Sequence, residues 1–170
     1  LNAGGELILA TMQADHTWKR QAIARNVTGF DADDTSIAWT TAGSVSRYSF
    51  ATGRETARID SATAAWTKPV NRVRAAAAMG GQLLVSNQEG ELAAYDLNKR
   101  AWSRLDAPGF VPRSLTSISD HWFAIGPRNE LTQLQNGKWA TVSRRGTSQW
   151  QSPKFRYSVS AQKNWLVRKS

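Results

Sequence analysis

The chain has 170 residues, no cysteine, 41% hydrophobic residues and a formal net charge of +9. That length and hydrophobic share suit one domain, residues 1–170, with a buried core, and exclude a disordered composition. The missing cysteines exclude a disulfide framework and thiolate chemistry. No apolar run approaches the ~20 residues that a membrane helix needs, and no signal-peptide core is visible. The chain opens on Leu1-Asn2-Ala3 rather than Met, as a processed chain or a fragment does, so its compartment is left open.

In chain order, Gly5 to Ala10 and Trp18 to Ile23 read as two short strands. Ser36 to Trp39, Val45 to Phe50 and Glu55 to Ile59 follow, with turns at Ala42-Gly43 and Gly53. Residues 61–69 read as an irregular linker. Arg74 to Met79 has high helix propensity taken alone. Its place before Gln82 to Val85 is that of an innermost strand, where small residues let sheets converge, so a strand is expected. Leu92 to Leu97 and Trp102 to Leu105 complete that unit. His121 to Ile125, Leu131 to Leu134 and Trp139 to Val142 repeat it, each with a tryptophan opening the last strand. Phe155 to Ser160 and Trp165 to Arg168 close the chain as two more strands.

Self-similarity at about 40–50 residues, built from strands alone, marks β-propeller blades. The expected fold is therefore an all-β propeller with blade boundaries near 28, 71, 111 and 150. The N-terminal piece matches the outer two strands of a blade and the C-terminal piece the inner two. Either the two complete each other in a closed four-blade disc, or the chain is part of a larger propeller. Closure would require residues 1–25 to pair with residues 150–170.

Residues 92–130 resemble kelch repeats. The run Tyr95-Asp96-Leu97, Trp102, Pro108-Gly109 and Pro112-Arg113 follows the kelch order, and Asn136-Gly137-Lys138-Trp139 repeats the tryptophan element. The glycine doublet departs from the pattern: Gly80-Gly81 is present, Gly126-Pro127 replaces it in the next unit, and residues 36–50 lack it. Residues 43–59 look more like a quinoprotein-type repeat, in which a Thr-Gly-Lys/Arg turn, here Thr52-Gly53-Arg54, ends a strand. The kelch resemblance implies protein binding. The quinoprotein resemblance implies either a dehydrogenase or an assembly scaffold.

Charge is unevenly spread. No acidic residue follows Glu130, whereas Lys138, Arg144, Arg145, Lys154, Arg156, Lys163, Arg168 and Lys169 all do. Those eight cations account for all but one of the net +9 charges. Aromatic residues are interleaved with them. Such a surface suits an acidic protein first, a nucleic acid second and an anionic membrane third. The expected contact set is Arg144, Arg145, Trp150, Lys154 and Arg156, joined by Trp66, because Trp66 and Trp150 fall in expected loops outside the repeat. Trp18, Trp102 and Trp139 recur within it, which points to packing between blades.

Asp31-Ala32-Asp33-Asp34-Thr35 matches the nucleophile motif of haloacid-dehalogenase phosphatases, but that chemistry requires an α/β domain. A polar hairpin entry with Asx-turns from Asp31 and Asp33 fits better. The same acids could ligate calcium, yet no glycine or bidentate glutamate completes a loop. His16 and His121 lack partners at metal-ligand spacing. No catalytic residue, metal site or cofactor is nominated, and the expectation is a non-enzymatic binding module within a larger assembly. The rival is a propeller enzyme or lectin with a central pocket.

Overall fold

In the computed structural model, residues 5–64, 66–67, 72–143, 149–151, 156–160 and 165–169 are described, with side chains through residue 142. They form three consecutive four-stranded antiparallel sheets, flanked by a two-stranded and a three-stranded sheet. The first full blade is β3 (Gly29–Ala32), β4 (Ser36–Thr40), β5 (Ser44–Ser49) and β6 (Arg54–Asp60). The second is β7 (Val73–Met79), β8 (Gln82–Asn87), β9 (Leu92–Asp96) and β10 (Ala101–Leu105). The third is β11 (Ser114–Ile118), β12 (His121–Ile125), β13 (Leu131–Gln135) and β14 (Lys138–Ser143). Within each blade the strands lie side by side in chain order. This is an all-β propeller.

The N-terminal hairpin, β1 (Leu7–Met12) and β2 (Trp18–Ala24), stands before the first blade. The last sheet holds β15 (Gln149–Gln151), β16 (Arg156–Ser160) and β17 (Trp165–Lys169). Among the described residues no ladder joins β1–β2 to β15–β17; each pair of termini forms its own sheet. The C-terminal sheet has three strands rather than the two that the sequence suggests. Trp150 lies in β15, opposite Tyr157, and not in a loop. A three-residue strand is too short to show any alternation.

The first strands of the three blades, β3, β7 and β11, meet one another at the centre. The run Ala75-Ala76-Ala77-Ala78 is a strand despite its helix propensity, because it is buried on both faces between the neighbouring blades. Ala76 and Ala78 pack with Ala38 and Val45 of the first blade. Ala75 and Ala77 pack with Leu115, Trp122 and Ala124 of the third. Methyl side chains are what allow three inner strands to approach this closely. Gly29 shows the same constraint, since a Cβ there would lie 2.9 Å from the Arg74 carbonyl oxygen.

The outer strands are tied by their tryptophans. Trp102 on β10 donates Nε1–H to Thr63 Oγ1 at 3.0 Å, in the segment leaving the first blade. Trp139 on β14 donates Nε1–H to the Asp106 carbonyl at 2.7 Å, in the segment leaving the second. Both are the second residue of their strand, and each stitches its blade to the exit of the one before. Trp18 differs from the interblade role expected of it: it opens β2 and is 61% exposed.

Candidate functional site

The expected contact set falls on three parts of the chain. Arg144, Arg145 and Lys154 lie outside the described residues. Trp150 and Arg156 lie on adjacent strands of the last sheet, where Trp150 pairs with Tyr157 and Arg156 pairs with Gln151 and Lys169. The register thus brings Trp150 and Arg156 within one residue of each other along a ladder. Arg156 and Lys169 stand directly opposite, so two of the eight late cations share one position of that sheet.

Trp66 is elsewhere, in the linker between the first and second blades. A short 3-10 turn, Ser61–Thr63, leads into it, capped by Asp60 Oδ1, which accepts from the Ala62 amide at 2.8 Å. The Trp66 indole donates to the Ser61 carbonyl at 2.8 Å, and the ring packs, half-buried, on the core between those blades. Its polar tip is therefore already used within the chain.

Glu91 organises the same linker. It accepts from the Thr67 amide at 3.1 Å and from the Thr67 hydroxyl, from Asn87 Nδ2 at 2.8 Å, and it pairs with Arg104 at 3.4 Å. The Thr67 hydroxyl, with help from Asn87, the Thr67 amide and Arg104, holds its carboxyl below the usual carboxylate range against the opposing effect of burial. Asn87 is fully buried, and its Oδ1 closes the β8–β9 turn by accepting from the amides of Glu89 and Glu91.

The acidic segment after β3 splits in two. Asp33 makes the expected side-chain turn: its Oδ1 accepts from the amides of Thr35 and Ser36, each at 2.7 Å. Asp31 does not. It is buried at the centre of the disc, where Oδ1 accepts from Thr116 Oγ1 at 2.8 Å and Oδ2 from the Ser117 amide at 3.2 Å. The Ser117 hydroxyl in turn donates to the Ala78 carbonyl of β7. Burial pushes the Asp31 carboxyl up to about 8, with Asp33 adding a smaller repulsion, against the lowering effect of its Thr116, Ser117 and Ala32 donors. Sequence reasoning missed this group. The available signal was position: Asp31 is the third residue of β3, the innermost strand of its blade, a segment whose sequence reads as a polar hairpin entry.

His16 occupies the β1–β2 turn with φ of 64°, and His121 opens β12 with its Nδ1 2.7 Å from the Ser119 carbonyl. Among the described residues, no group of three or more His, Cys, Asp or Glu side chains is placed to hold a metal ion.

No protein-family model matches the chain. No curated protein matches it either. Among solved structures, it is similar to a chain in a crystal structure of a nidogen/laminin complex, with a TM-score of 0.60 and 16% sequence identity, over 93% of this chain and 68% of that one. It is also similar to the computationally designed Ika8 protein, with a TM-score of 0.50 and 13% identity, over 89% of this chain and 52% of that one. At such identities the likeness is one of fold.

Proposed function

We propose that this protein is a non-enzymatic propeller scaffold that binds an acidic protein partner, as one subunit of a larger assembly, through a basic C-terminal face. The observation that carries this reading is the charge distribution: eight cations and no acid after Glu130. A rigid disc with one basic region attracts and orients an acidic surface. Trp150 and Arg156 lie on adjacent strands of one small sheet, which gathers aromatic and arginine positions, the residue types that dominate interfaces, in one part of the chain. Trp66 contributes a partly exposed ring from the linker side. The solved neighbour belongs to a crystallised protein complex, which agrees with an interaction module.

Two further features support the reading. The inner strands bond to one another directly, Asp31 to Thr116 and Ser117 to Ala78, which favours a packed axis over a central catalytic or sugar-binding pocket. The kelch resemblance of residues 92–130, with Trp102 recurring as Trp139, implies protein binding. The second reading is a nucleic-acid binder, favoured by the alternation of rings and cations from Trp139 to Lys169.

The test is titration with a poly-glutamate peptide, a single-stranded oligonucleotide and phosphatidylserine vesicles at two salt concentrations. The acidic peptide should bind, and the double reversal Arg144→Glu/Arg145→Glu should weaken it at least tenfold. Preferential binding of the oligonucleotide would transfer the assignment to the second reading. Binding untouched by the reversal would remove the basic face as the contact.

A further inference from the structure

The three blades are not joined to one another in the same way. An apolar cluster packs the first blade on the second, with Ala38 and Val45 against Ala76, Ala78 and Leu83. Another packs the third blade on the second, with Leu115, Trp122 and Ala124 against Ala75, Ala77 and Leu84. The alanines of β7 alternate between the two clusters, so each face of that strand carries one of them. Among the described residues no apolar cluster joins the first blade to the third. Those two meet across the axis through β3 and β11, and the bonds between them are polar. Asp31 on β3 accepts from Thr116 Oγ1 at 2.8 Å and from the Ser117 amide at 3.2 Å. The Ser117 hydroxyl continues to the Ala78 carbonyl, so one carboxyl heads a run of bonds through all three inner strands.

A carboxyl in this place has two states with different needs. Neutral, it sits in a dry site at little cost; ionised, it needs a counter-charge or water. The elements packed on β3 supply no counter-charge. Neither β4 nor β11 contains a charged residue. Arg113 precedes β11, three residues before Thr116, and Asp120 and His121 follow it. The one cation of β7, Arg74, is exposed, and its carbonyl lies beside Gly29, two residues before Asp31. In the turn after β3 stand two more acids, Asp33 and Asp34. None of the ion pairs among the described residues includes Asp31. Burial, opposed by the Thr116, Ser117 and Ala32 donors, accordingly favours the neutral form. Ionisation is most easily relieved where apolar packing is missing, between the first and third blades.

We propose that Asp31, Thr116 and Ser117 form a proton-operated clasp that holds the first and third blades together across the axis while the carboxyl is neutral. When the carboxyl loses its proton to solvent, the clasp opens and the two blades part to admit water. The strand β7, with an apolar cluster on each face, stays packed and serves as the hinge. The clasp stands or falls independently of what the basic C-terminal face binds.

The chain has no cysteine, so two spin labels can be placed on it without background. Arg58→Cys on β6 and Val142→Cys on β14 use exposed positions on the outer strands of the first and third blades. The distance between the labels is read on the full chain by pulsed electron–electron double resonance. From pH 6 to pH 9.5 it should lengthen by about 3 Å, roughly one layer of water. The midpoint should lie near 8. Asp31→Asn, an uncharged stand-in for the acid, should keep the short distance at both pH values. In case that variant does not fold, the infrared band of a buried carboxylic acid in the Asp31 protein should vanish over the same pH range. Circular dichroism should show the strand signal unchanged at pH 9.5. A distance that does not move, or an equal lengthening in Asp31→Asn, would overturn the clasp. So would an acid band that persists after the blades have parted, or a lengthening seen only with loss of the strand signal.

Discussion

Thr116 donates its hydroxyl to Asp31 at 2.8 Å, joining strands from the first and third blades that lie 85 positions apart in sequence. A buried carboxyl at this point has a consequence for pH. The folded state holds the Asp31 proton up to about 8, whereas the unfolded chain releases it near 3.8. Between those values the folded state binds more protons, so stability falls as pH rises, by up to about 1.4 kcal/mol per pH unit from this group, and levels off above about 8. Asp31→Asn should flatten that slope. Urea denaturation at pH 5, 6.5 and 8 measures it; parallel slopes in the two proteins would show that Asp31 titrates normally.

Thr116→Val removes the hydroxyl and leaves the buried carboxyl with one donor fewer. A loss of about 1–3 kcal/mol is expected, the range for depriving a buried charged or polar group of a partner. Chemical denaturation at pH 7 checks this, and Ser117→Ala should cost less, since it removes only a bond to a backbone carbonyl.

Glu91 gives the opposite pH dependence. Its carboxyl is held below the ordinary range by Thr67, Asn87 and Arg104, so its contribution is present above the unfolded pKa and is lost as pH falls through the folded one. Glu91→Gln should reduce the acid sensitivity of the linker. Proteolysis between residues 61 and 72, followed from pH 6 to pH 3, should show wild-type cleavage rising with acid and variant cleavage already high and flat.

The interblade indoles can be separated into bond and ring. Trp102→Phe keeps a ring but loses the bond to Thr63, at about 1 kcal/mol. Trp102→Ala also loses the edge-on packing against Tyr95, where the ring centroids are 4.9 Å apart, for roughly 2–4 kcal/mol in all. Equal losses for the two variants, measured by denaturation, would show that the indole bond matters more than the packing.

Gly90 should resist substitution. Its φ is +86°, and a Cβ would sit 3.2 Å from the Val111 Cα, so both conformation and space oppose a side chain. Gly90→Ala should cost on the order of 1–3 kcal/mol, whereas Gly43→Ala, with open space around it, should be close to neutral.

By itself, the sequence determined most of the strands, though not β3, β11 or β15, together with the repeat and the tryptophan at the start of the outer strands, because these are local patterns of alternation and of recurrence. It also determined the uneven charge. The tertiary structure alone decided which recurring tryptophan is tied down: Trp102 and Trp139 find an acceptor in the segment leaving a preceding blade, while Trp18, of the same pattern, is 61% exposed. It alone placed Asp31 at the centre, whereas Asp33, separated from it by a single residue, keeps the turn that the sequence suggests. It alone showed that the alanine run, expected as a strand from its place in the repeat, is the one on which two blades close, with Ala76 and Ala78 on the first blade and Ala75 and Ala77 on the third. In each case the deciding partner lies tens of residues away, and only a folded chain brings it within the reach of a hydrogen bond or a methyl group.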